Sequence, residues 1–348
     1  MNIYKDYPLL QHNTFGIAVN AARYAEYASA DELQELLKTL RHSWPGQSVL
    51  HIGGGSNLLF LNDYEGTVIH SCIRGIELMD SGNDEVLLRV GAGVVWDQLV
   101  EYCVTHGLYG VENLSLIPGE VGAAAVQNIG AYGAEFKDVL HAVETVRLED
   151  GAPRTFALAM CDYGYRHSYF KAEGKGQYAV THVQLRLSRH FVPSISYGGI
   201  RQALLARGAD LQQLTARQVR DTIIGIRQDK LPDPAVQGNA GSFFMNPVVP
   251  REVLERLRAR HPDIPYYDVD DAHVKLPAGW LIEQCGWKGR SLGRAAVHAR
   301  QALVLVNMGQ ATGTEILALC RQVVDDVRQR FGIALHPEVN IIGERPCE

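Results

Sequence analysis

The chain has 348 residues, of which 33 are basic and 39 are acidic, so its formal net charge is -6. This acidic balance argues against a nucleic-acid groove held together by phosphate contacts. The charges are mixed along the chain and form no acidic or basic tail. Hydrophobic residues make up 46% of the chain, which is enough for real cores, and the length predicts about two to three domains.

The six cysteines are widely scattered, and none of them forms a CxxC pair. We therefore predict free thiols in a reducing compartment and no bound metal. The N-terminus lacks a basic start followed by an apolar core. The longest apolar runs fall far short of the ~20 residues that a membrane span needs. These patterns predict a soluble, cytoplasmic protein with no membrane insertion.

The first predicted element is a helix, because Ser29 and Glu32 fit a capping box and leucines then recur at helical spacing. These leucines are Leu33, Leu36, Leu37 and Leu40. A buried strand over residues 48–52 comes next, and a tight glycine turn separates it from a second apolar piece over 58–60. This part of the chain therefore alternates between strand and turn.

Both element types continue along the rest of the chain. The patterns predict strands over 86–90 and 183–187, helices over 96–106, 216–226 and 316–327, and a final strand over 338–343. Gly107 and Gly332 are placed to end the helices that precede them. We place domain boundaries near residues 70 and 213.

The run from Gly53 to Asn57 in the sequence HIGGGSNLLF carries the first chemical signal. Consecutive glycines after a strand let backbone N–H groups converge on an anionic oxygen, and Ser56 and Asn57 can add donors. A plain hairpin turn explains this motif alone equally well. The run is not GxGxxG and no GxxxxGK[ST] occurs, which disfavours a nucleotide held in the Rossmann or P-loop manner.

Two more loops of small residues follow, at Gly91-Ala92-Gly93 and between Pro118 and Ala125. Such loops let the backbone lie flat against a large ring or a diphosphate, although close packing of a helix on a sheet also needs small residues. Together the three loops favour an extended dinucleotide. The predicted contacts are Gly53, Gly54, Gly55, Ser56, Asn57, Gly91, Gly93, Pro118, Gly119, Gly122 and Ala123.

A series of motifs runs along most of the chain: NTFG at residues 13–16, then HIGGGSNLLF, GAGVVWDQLV, IPGEVGAAAVQNIGAYG, CDYGYRHSYFK, KLPDP, GNAGSFFMNP, KLPAGWLIEQCG, AAVHARQALVLVN and LHPEV. This series resembles the UDP-N-acetylenolpyruvoylglucosamine reductase (MurB) family. The motifs run in the family's order from Asn13 to Glu338, and a chance match of the whole series is very improbable.

The resemblance implies an α+β fold: a two-subdomain FAD-binding fold of the vanillyl-alcohol-oxidase (PCMH) type plus a C-terminal α/β substrate-binding domain. The implied parts are 1–70, with the C-terminal strand 336–348 returning to it, then 71–213 and 214–335. It also implies non-covalent FAD, NADPH as co-substrate, and reduction of an enolpyruvyl ether of a UDP-sugar in peptidoglycan precursor synthesis. We expect a monomer.

The same resemblance assigns three catalytic residues. Ser242 matches the proton donor, Arg166 the residue that grips the substrate carboxylate, and Glu338 a group that hydrogen-bonds near the enolate. The roles agree with their chemistry, because a guanidinium pairs bidentately with a carboxylate and a hydroxyl can protonate a strongly basic carbanion. Taken singly, each residue is more typical of a turn, a surface charge or a cap.

Further residues match substrate contacts: Tyr197, Arg227, Lys230, Asn246 and Gln301. Tyr197 resembles the mobile-loop tyrosine of the type I subgroup, but an exposed loop aromatic is an almost equal interpretation. Arg227 is a candidate for the diphosphate, with a solvated helix end as the alternative. Met245 departs from the family, since many relatives carry lysine there, and this puts a charge contact from that position in doubt.

Two other functions remain as alternatives. One is an oxidase of the same fold that passes electrons to oxygen, and the trio of Arg166, Ser242 and Glu338 argues against it. The other is a regulator that binds a nucleotide without turnover, which the lid and acid motifs disfavour. A UDP-sugar is the expected small-molecule partner.

Overall fold

The computed structural model describes residues 2–343. Its α-helices are α1 (Ala30–Ser43), α2 (Trp96–Thr105), α3 (Val121–Gln127), α4 (Ile200–Ala206), α5 (Ala216–Lys230), α6 (Arg251–Arg258), α7 (Ala278–Gln284) and α8 (Gly313–Phe331). Short 3-10 helices cover Leu10–His12, Glu112–Leu114, Phe136–Asp138, Leu158–Met160 and Tyr169–Lys171. None of the helices between residues 2 and 343 is long and apolar enough to cross a membrane.

The strands are β1 (Ile3–Pro8), β2 (Asn20–Tyr27), β3 (Val49–Ile52), β4 (Leu58–Phe60), β5 (Tyr64–Ser71), β6 (Ile76–Ser81), β7 (Glu85–Gly91), β8 (Gly130–Ala131), β9 (Ala134–Glu135), β10 (Leu140–Arg147), β11 (Pro153–Ala157) and β12 (Tyr178–Ser188). The later strands are β13 (Asn239–Ser242), β14 (Val248–Pro250), β15 (Tyr267–Asp268), β16 (His273–Lys275), β17 (Ser291–Leu292), β18 (Ala295–Val297), β19 (Val304–Asn307) and β20 (Asn340–Ile342).

The described residues divide into two compact units. The first unit comprises residues 2–7, 21–55 and 64–229, and the second comprises 8–20, 56–63 and 230–343. The chain therefore crosses between the units several times, and a unit is not one continuous stretch of sequence. The boundaries predicted near residues 70 and 213 stay a prediction.

The described part of the first unit contains two large sheets and the short pair β8-β9. One has the order β1-β2-β5-β3, with β5 parallel to both β2 and β3. Helix α1 packs its apolar stripe on this sheet, and Leu33, Leu36 and Leu37 are almost fully buried there. Ser29 caps α1 as predicted by accepting from the Glu32 N–H at 3.1 Å. The Glu32 carboxylate accepts from the N–H of Ala28, however, one residue before the position that a capping box predicts.

The second sheet of the first unit is antiparallel and has the order β11-β10-β12-β7-β6. Helices α2 and α3 share its core. The Trp96 ring is buried, and its Nε1 donates to the Leu114 carbonyl at 2.9 Å. This hydrogen bond offsets the free-energy cost of removing the indole N–H from water. Asn128 caps the C-terminus of α3, and its φ of 44° lies in the left-handed region.

The second unit contains the sheets β13-β19-β18-β17 and β14-β16-β15, and a parallel pair of β20 with β4. The long helix α8 begins with a capping box between Thr312 and Glu315 and ends at Gly332, with φ 70°. Gly313 at its first turn has no room for a Cβ, because that atom would overlap the Phe60 carbonyl. A small residue therefore lets α8 approach β4 closely.

Most of the predicted elements are confirmed. The helices predicted over 96–106, 216–226 and 316–327 are α2, α5 and α8, and the last two extend further than predicted, to Lys230 and Phe331. The final strand is shorter than predicted and covers only Asn340–Ile342. Residues 344–348 of the predicted returning strand 336–348 lie outside the described residues.

Candidate functional site

Two of the predicted small-residue loops face each other in the first unit. A Cβ added at Gly53 would lie 3.2 Å from the Ala123 Cβ and 3.3 Å from Glu120 Oε2. A Cβ added at Gly54 would lie 3.6 Å from the Gly119 Cα. Gly54 is exposed to solvent, so its backbone is open to a ligand. The turns after β3 and before α3 therefore come together as one backbone surface.

Packing explains the glycines of the remaining loop, Gly91 and Gly93, and also Gly122 of the loop before α3. A Cβ at Gly91 would overlap the Ile73 carbonyl, and one at Gly93 would overlap the Ser71 carbonyl. A Cβ at Gly122 would lie 2.8 Å from the Ala92 Cβ. The close approach of protein backbone thus accounts for glycine at these positions, and their contact with a cofactor stays a prediction.

A charged network that the sequence motifs did not reveal lies beside the Gly53 turn. His70 Nε2 is 3.1 Å from both carboxylate oxygens of Glu120, and its Nδ1 is 3.5 Å from Glu26 Oε1. Burial lowers the pKa of His70, but the hydrogen bonds and charges of Glu120 and Glu26 outweigh it, so the pKa is raised. The network holds Glu120, the first residue before α3, against β5.

Arg166 lies in a strained turn of the first unit. Its φ of 54° is in the left-handed region, which is unusual for a residue with a Cβ. Its Nη2 donates to the Gly130 carbonyl at 2.9 Å, and its guanidinium lies over the Tyr165 ring. A side chain held from both sides in this way is positioned before any ligand arrives.

Two other predicted substrate contacts gather around the same turn at residues 130–133. Arg227 is half-buried, and desolvation lowers its pKa, while the charge of Tyr132 and a hydrogen bond to it act in the opposite direction. The charge of Arg166 lowers the pKa of Arg227 further, because the two guanidinium groups repel each other electrostatically. Tyr197 packs its Cβ close to Gly133 and is 42% exposed, as expected for a loop aromatic.

Asn113 joins these pieces and was missed by the sequence analysis. Its Nδ2 donates to the carbonyls of Tyr132 at 2.9 Å and Ser194 at 2.8 Å. The residue is buried, and both hydrogen bonds lie in a partly buried environment. Asn113 thereby ties the 130–133 turn to the loop that leads to Tyr197, and no local pattern signals such a long-range tie.

In the second unit, backbone hydrogen bonds place Ser242 and Glu338 on neighbouring segments. Ser242 is the last residue of β13, and the Glu338 N–H donates to the Phe243 carbonyl at 2.7 Å. Phe244 and Pro337 form an antiparallel bridge, and the Met245 N–H donates to the His336 carbonyl. Two of the predicted catalytic residues therefore lie on adjacent extended segments.

Asn57 lies beside the same pair of segments. Its Nδ2 donates to the Glu338 carbonyl at 3.2 Å, and its own carbonyl accepts from the Asn340 N–H at 3.0 Å. A predicted cofactor contact and a predicted catalytic residue are thus directly hydrogen-bonded. Ser56 and Asn57 belong to the second unit, whereas the three glycines before them belong to the first.

Asn246 and Gln301 both lie at the start of α7. Asn246 Oδ1 accepts from the Ala278 N–H at 2.9 Å and so caps the helix, and Gln301 Oε1 is 3.4 Å from a Cβ added at Gly279. Asn246 therefore has a structural task besides its predicted contact with substrate. Lys230 is exposed at the last position of α5. Arg166, Tyr197 and Arg227 belong to the first unit, and the other predicted catalytic and substrate residues belong to the second.

Both halves of the chain match family models. Residues 21–156 match the FAD binding domain, and residues 233–342 match the UDP-N-acetylenolpyruvoylglucosamine reductase, C-terminal domain. The UDP-N-acetylenolpyruvoylglucosamine reductase of Bacteroides fragilis (strain YCH46) is 54% identical over 336 residues, covering 97% of this chain and 99% of that protein. The chain belongs to the MurB family. A reductase of the same name from Porphyromonas gingivalis (strain ATCC 33277) is 46% identical over 344 residues and covers 98% and 100% of the two chains.

The match to MurB confirms the predicted fold class, an α+β FAD-binding fold with a C-terminal domain of its own. The crystal structure of MurB from Thermus caldophilus has a TM-score of 0.67 at 24% identity, covers 98% of each chain, and supports the fold. The chain is therefore an enzyme, an oxidoreductase with an FAD-binding domain.

The first unit fits an FAD group at the paired turns. Around Gly53, Gly54 and Gly119 small residues leave the backbone open to a large ligand. At the end of α3 the Gln127 Oε1 is buried with no hydrogen-bond partner among residues 2–343, so a polar group of a ligand can use it. These features suit a cofactor that carries both a diphosphate and a polar ring edge.

Proposed function

We propose that the enzyme reduces UDP-N-acetylglucosamine enolpyruvate to UDP-N-acetylmuramate, with NADPH as the source of electrons. This is the activity implied by the motifs and by the names of the relatives. The observation that carries it is the hydrogen bond from the Glu338 N–H to the Phe243 carbonyl. It supports the proposal because it brings the predicted proton donor and the predicted acid to adjacent positions on paired segments.

Within this reaction Ser242 holds the proton for the α-carbon of the enolpyruvyl group at its Oγ. Gly241, with φ 67°, donates its N–H to Asn239 Oδ1 at 2.9 Å, and this turn sets the direction of the following serine. Glu338 hydrogen-bonds to the oxygen on which charge develops. Both groups act on charge that exists only in the transition state, which is where stabilisation raises the rate.

Arg166 supplies the carboxylate contact. Its guanidinium stays charged and presents a planar fork that matches the substrate carboxylate. The hydrogen bond to the Gly130 carbonyl restricts its rotamers before substrate binds. Less conformational entropy is then lost on binding than for a free surface arginine.

FAD bound at the glycine turns supplies a hydride that originates from NADPH. The residues of the chain have the task of excluding water and holding the nucleotide. Tyr197 covers the UDP group from its glycine-flanked loop, and Arg227 and Lys230 pair with the diphosphate. Asn246 and Gln301 contribute neutral contacts, and Met245 provides no charge.

Anaerobic spectroscopy of the purified protein tests the proposal directly. We expect NADPH to bleach the flavin absorbance and the enolpyruvyl UDP-sugar to restore it. Absence of bleaching by NADPH, after reconstitution with FAD, would overturn the reductase function. Restoration by oxygen alone, with no response to the UDP-sugar, would identify an oxidase. NADH in place of NADPH measures the cofactor preference.

The remaining expectations concern the state of the enzyme in the cell. We propose a monomer in the cytoplasm. Light scattering coupled to size-exclusion chromatography should give the mass of one chain, 38.4 kDa, together with its flavin. A mass of two chains would contradict the monomer but leave the proposed reaction untouched.

A further inference from the structure

The register of two parallel strands places three metal-ligating side chains on one face of a sheet. β2 and β5 pair in parallel with Glu26 opposite His70, and the Cys72 N–H just beyond β5 donates to the Tyr27 carbonyl at 2.7 Å. Side chains alternate along a strand, so His70 and Cys72 point to the same side as Glu26. The opposite side, with Tyr27 and Ile69, packs on the α1 core.

The ligand atoms are close enough to share one ion. A carboxylate oxygen of Glu26, a ring nitrogen of His70 and the sulfur of Cys72 all lie within 4.8 Å of one another. The Glu26 side chain is 47% exposed, while that of His70 is 11% exposed. An ion can therefore enter from the side of Glu26 and become partly enclosed.

The groups behind His70 resemble the outer shell of a metal site. Metal-binding histidines usually place the second ring nitrogen against a carboxylate, which fixes the ring and makes the ligand more basic. Here His70 Nε2 faces Glu120 at 3.1 Å, and the Tyr24 hydroxyl donates to Glu26 Oε1 at 2.7 Å. The first-row metal that best suits one sulfur, one nitrogen and one oxygen ligand with an open position is zinc.

We propose that Glu26, His70 and Cys72 bind one zinc ion, with solvent as the fourth ligand. Binding releases the thiol proton of Cys72 and any proton on His70 Nδ1 to solvent, with no change of oxidation state. The Glu26 carboxylate and the Cys72 thiolate then balance the two positive charges of the ion. The cysteine spacing in the sequence predicts no metal centre, because these ligands come from different strands.

Zinc titration of the full-length flavoprotein against a chromogenic chelator tests the site. We expect one tightly bound zinc per chain. Cys72→Ser should weaken binding by at least about 100-fold, and Glu120→Gln by about 10–100-fold, as for the loss of an outer-shell partner. Cys285→Ser is the matched control, because Cys285 is another half-buried free thiol outside the cluster, and it should leave affinity unchanged.

Two results would overturn the proposal: no zinc bound by the wild-type protein, or equal affinity in the wild-type and Cys72→Ser proteins. Since a substitution can also disturb folding, the wild-type chain provides a second measurement. Zinc should protect Cys72 from alkylation, as mapped by mass spectrometry, and should leave the alkylation of Cys285 unchanged. Equal alkylation of Cys72 with and without zinc would count against the site.

Discussion

The first and second units hold their predicted site residues by different means. In the first unit, side chains fix the turns: Asn113 ties two carbonyls together, and Arg166 donates to the carbonyl of Gly130. In the second unit, backbone hydrogen bonds between extended segments hold Ser242 and Glu338 in place. In the first unit, substituting such a side chain should therefore disturb both the placement of the site residues and the stability of the fold. In the second unit, it should affect only the rate of the reaction.

Ser242→Ala is expected to have the largest effect. Loss of a positioned proton donor should slow substrate reduction by about 10²–10⁴-fold, because that is the usual contribution of general acid catalysis. Reduction of the flavin by NADPH should be unchanged, since the backbone ladder around Phe243 remains. Anaerobic stopped-flow spectroscopy separates the two half-reactions.

Ser291→Ala is the matched control, an exposed serine of the second unit in β17 that should alter neither half-reaction. Slowing of both half-reactions by Ser242→Ala would show that Ser242 supports the structure, and the contrast between the units would fail.

Arg220→Gln tests the framework of the first unit. The Arg220 side chain is 5% exposed, and its guanidinium donates to Asp97 at 2.7 and 3.0 Å and to Glu101 at 2.7 Å. The carboxylates of Asp97 and Glu101 are partly exposed, so losing these charged hydrogen bonds should lower the free energy of unfolding by about 1.5–3 kcal/mol. Arg217→Gln is the control, because Arg217 is 47% exposed and also pairs with Glu101, and its loss should lower the free energy of unfolding much less than Arg220→Gln does. Similar decreases in the free energy of unfolding of the two variants, measured by urea denaturation, would contradict this contrast.

His51→Gln should change the acid sensitivity of the first unit. Burial, aided by the charge of His70, lowers the pKa of His51 to about 3. Below about pH 6.5 His51 binds a proton in the unfolded chain but stays neutral in the folded chain. Its contribution to the free energy of unfolding is therefore fully present above that pH and is lost as the pH falls towards 3. Glutamine keeps a partner for the Tyr27 hydroxyl, which is 2.7 Å from His51 Nε2.

Between pH 7 and pH 4.5 the free energy of unfolding of the variant should fall by about 2–3 kcal/mol less than that of the wild type, as measured by chemical denaturation at each pH. An identical pH dependence in both proteins would mean that His51 is not buried in its neutral form.

The smallest expected effects distinguish a glycine that packs against protein backbone from an exposed glycine of the cofactor turns. Gly93→Ala places a Cβ against the Ser71 carbonyl and should lower the free energy of unfolding by about 1–3 kcal/mol. Gly54→Ala meets nothing nearer than the Gly119 Cα at 3.6 Å, so stability should change by no more than about 0.5 kcal/mol. The same variant should weaken the binding of FAD, because the methyl group occupies the backbone surface that is available to the cofactor. Thermal unfolding of the apoprotein and titration with FAD measure the two quantities, and unchanged FAD affinity in Gly54→Ala would remove that turn from the cofactor site.

Local patterns predicted much of the fold because their signals span only a few residues. The leucine spacing after Ser29 marks α1, and the glycine at 107 ends α2 at the expected place. The small residues at Gly53 and from Gly119 to Ala123 were also marked by composition, whereas the contact between the two turns is a tertiary feature. The glutamates at 26 and 120 escaped notice, since isolated acidic residues on strands and caps carry no signal of their own.

The sequence by itself determined the order of helices, strands and turns, and its motif series determined the family. These depend on local backbone preference and on hydrophobic periodicity, which neighbouring residues set. Only the tertiary structure decided that Asn57 and Ser242 share the segment around Glu338, and that Glu26, His70 and Cys72 meet. Such contacts depend on strand register between distant parts of the chain, and a shift of one residue would turn every side chain to the other face of the sheet.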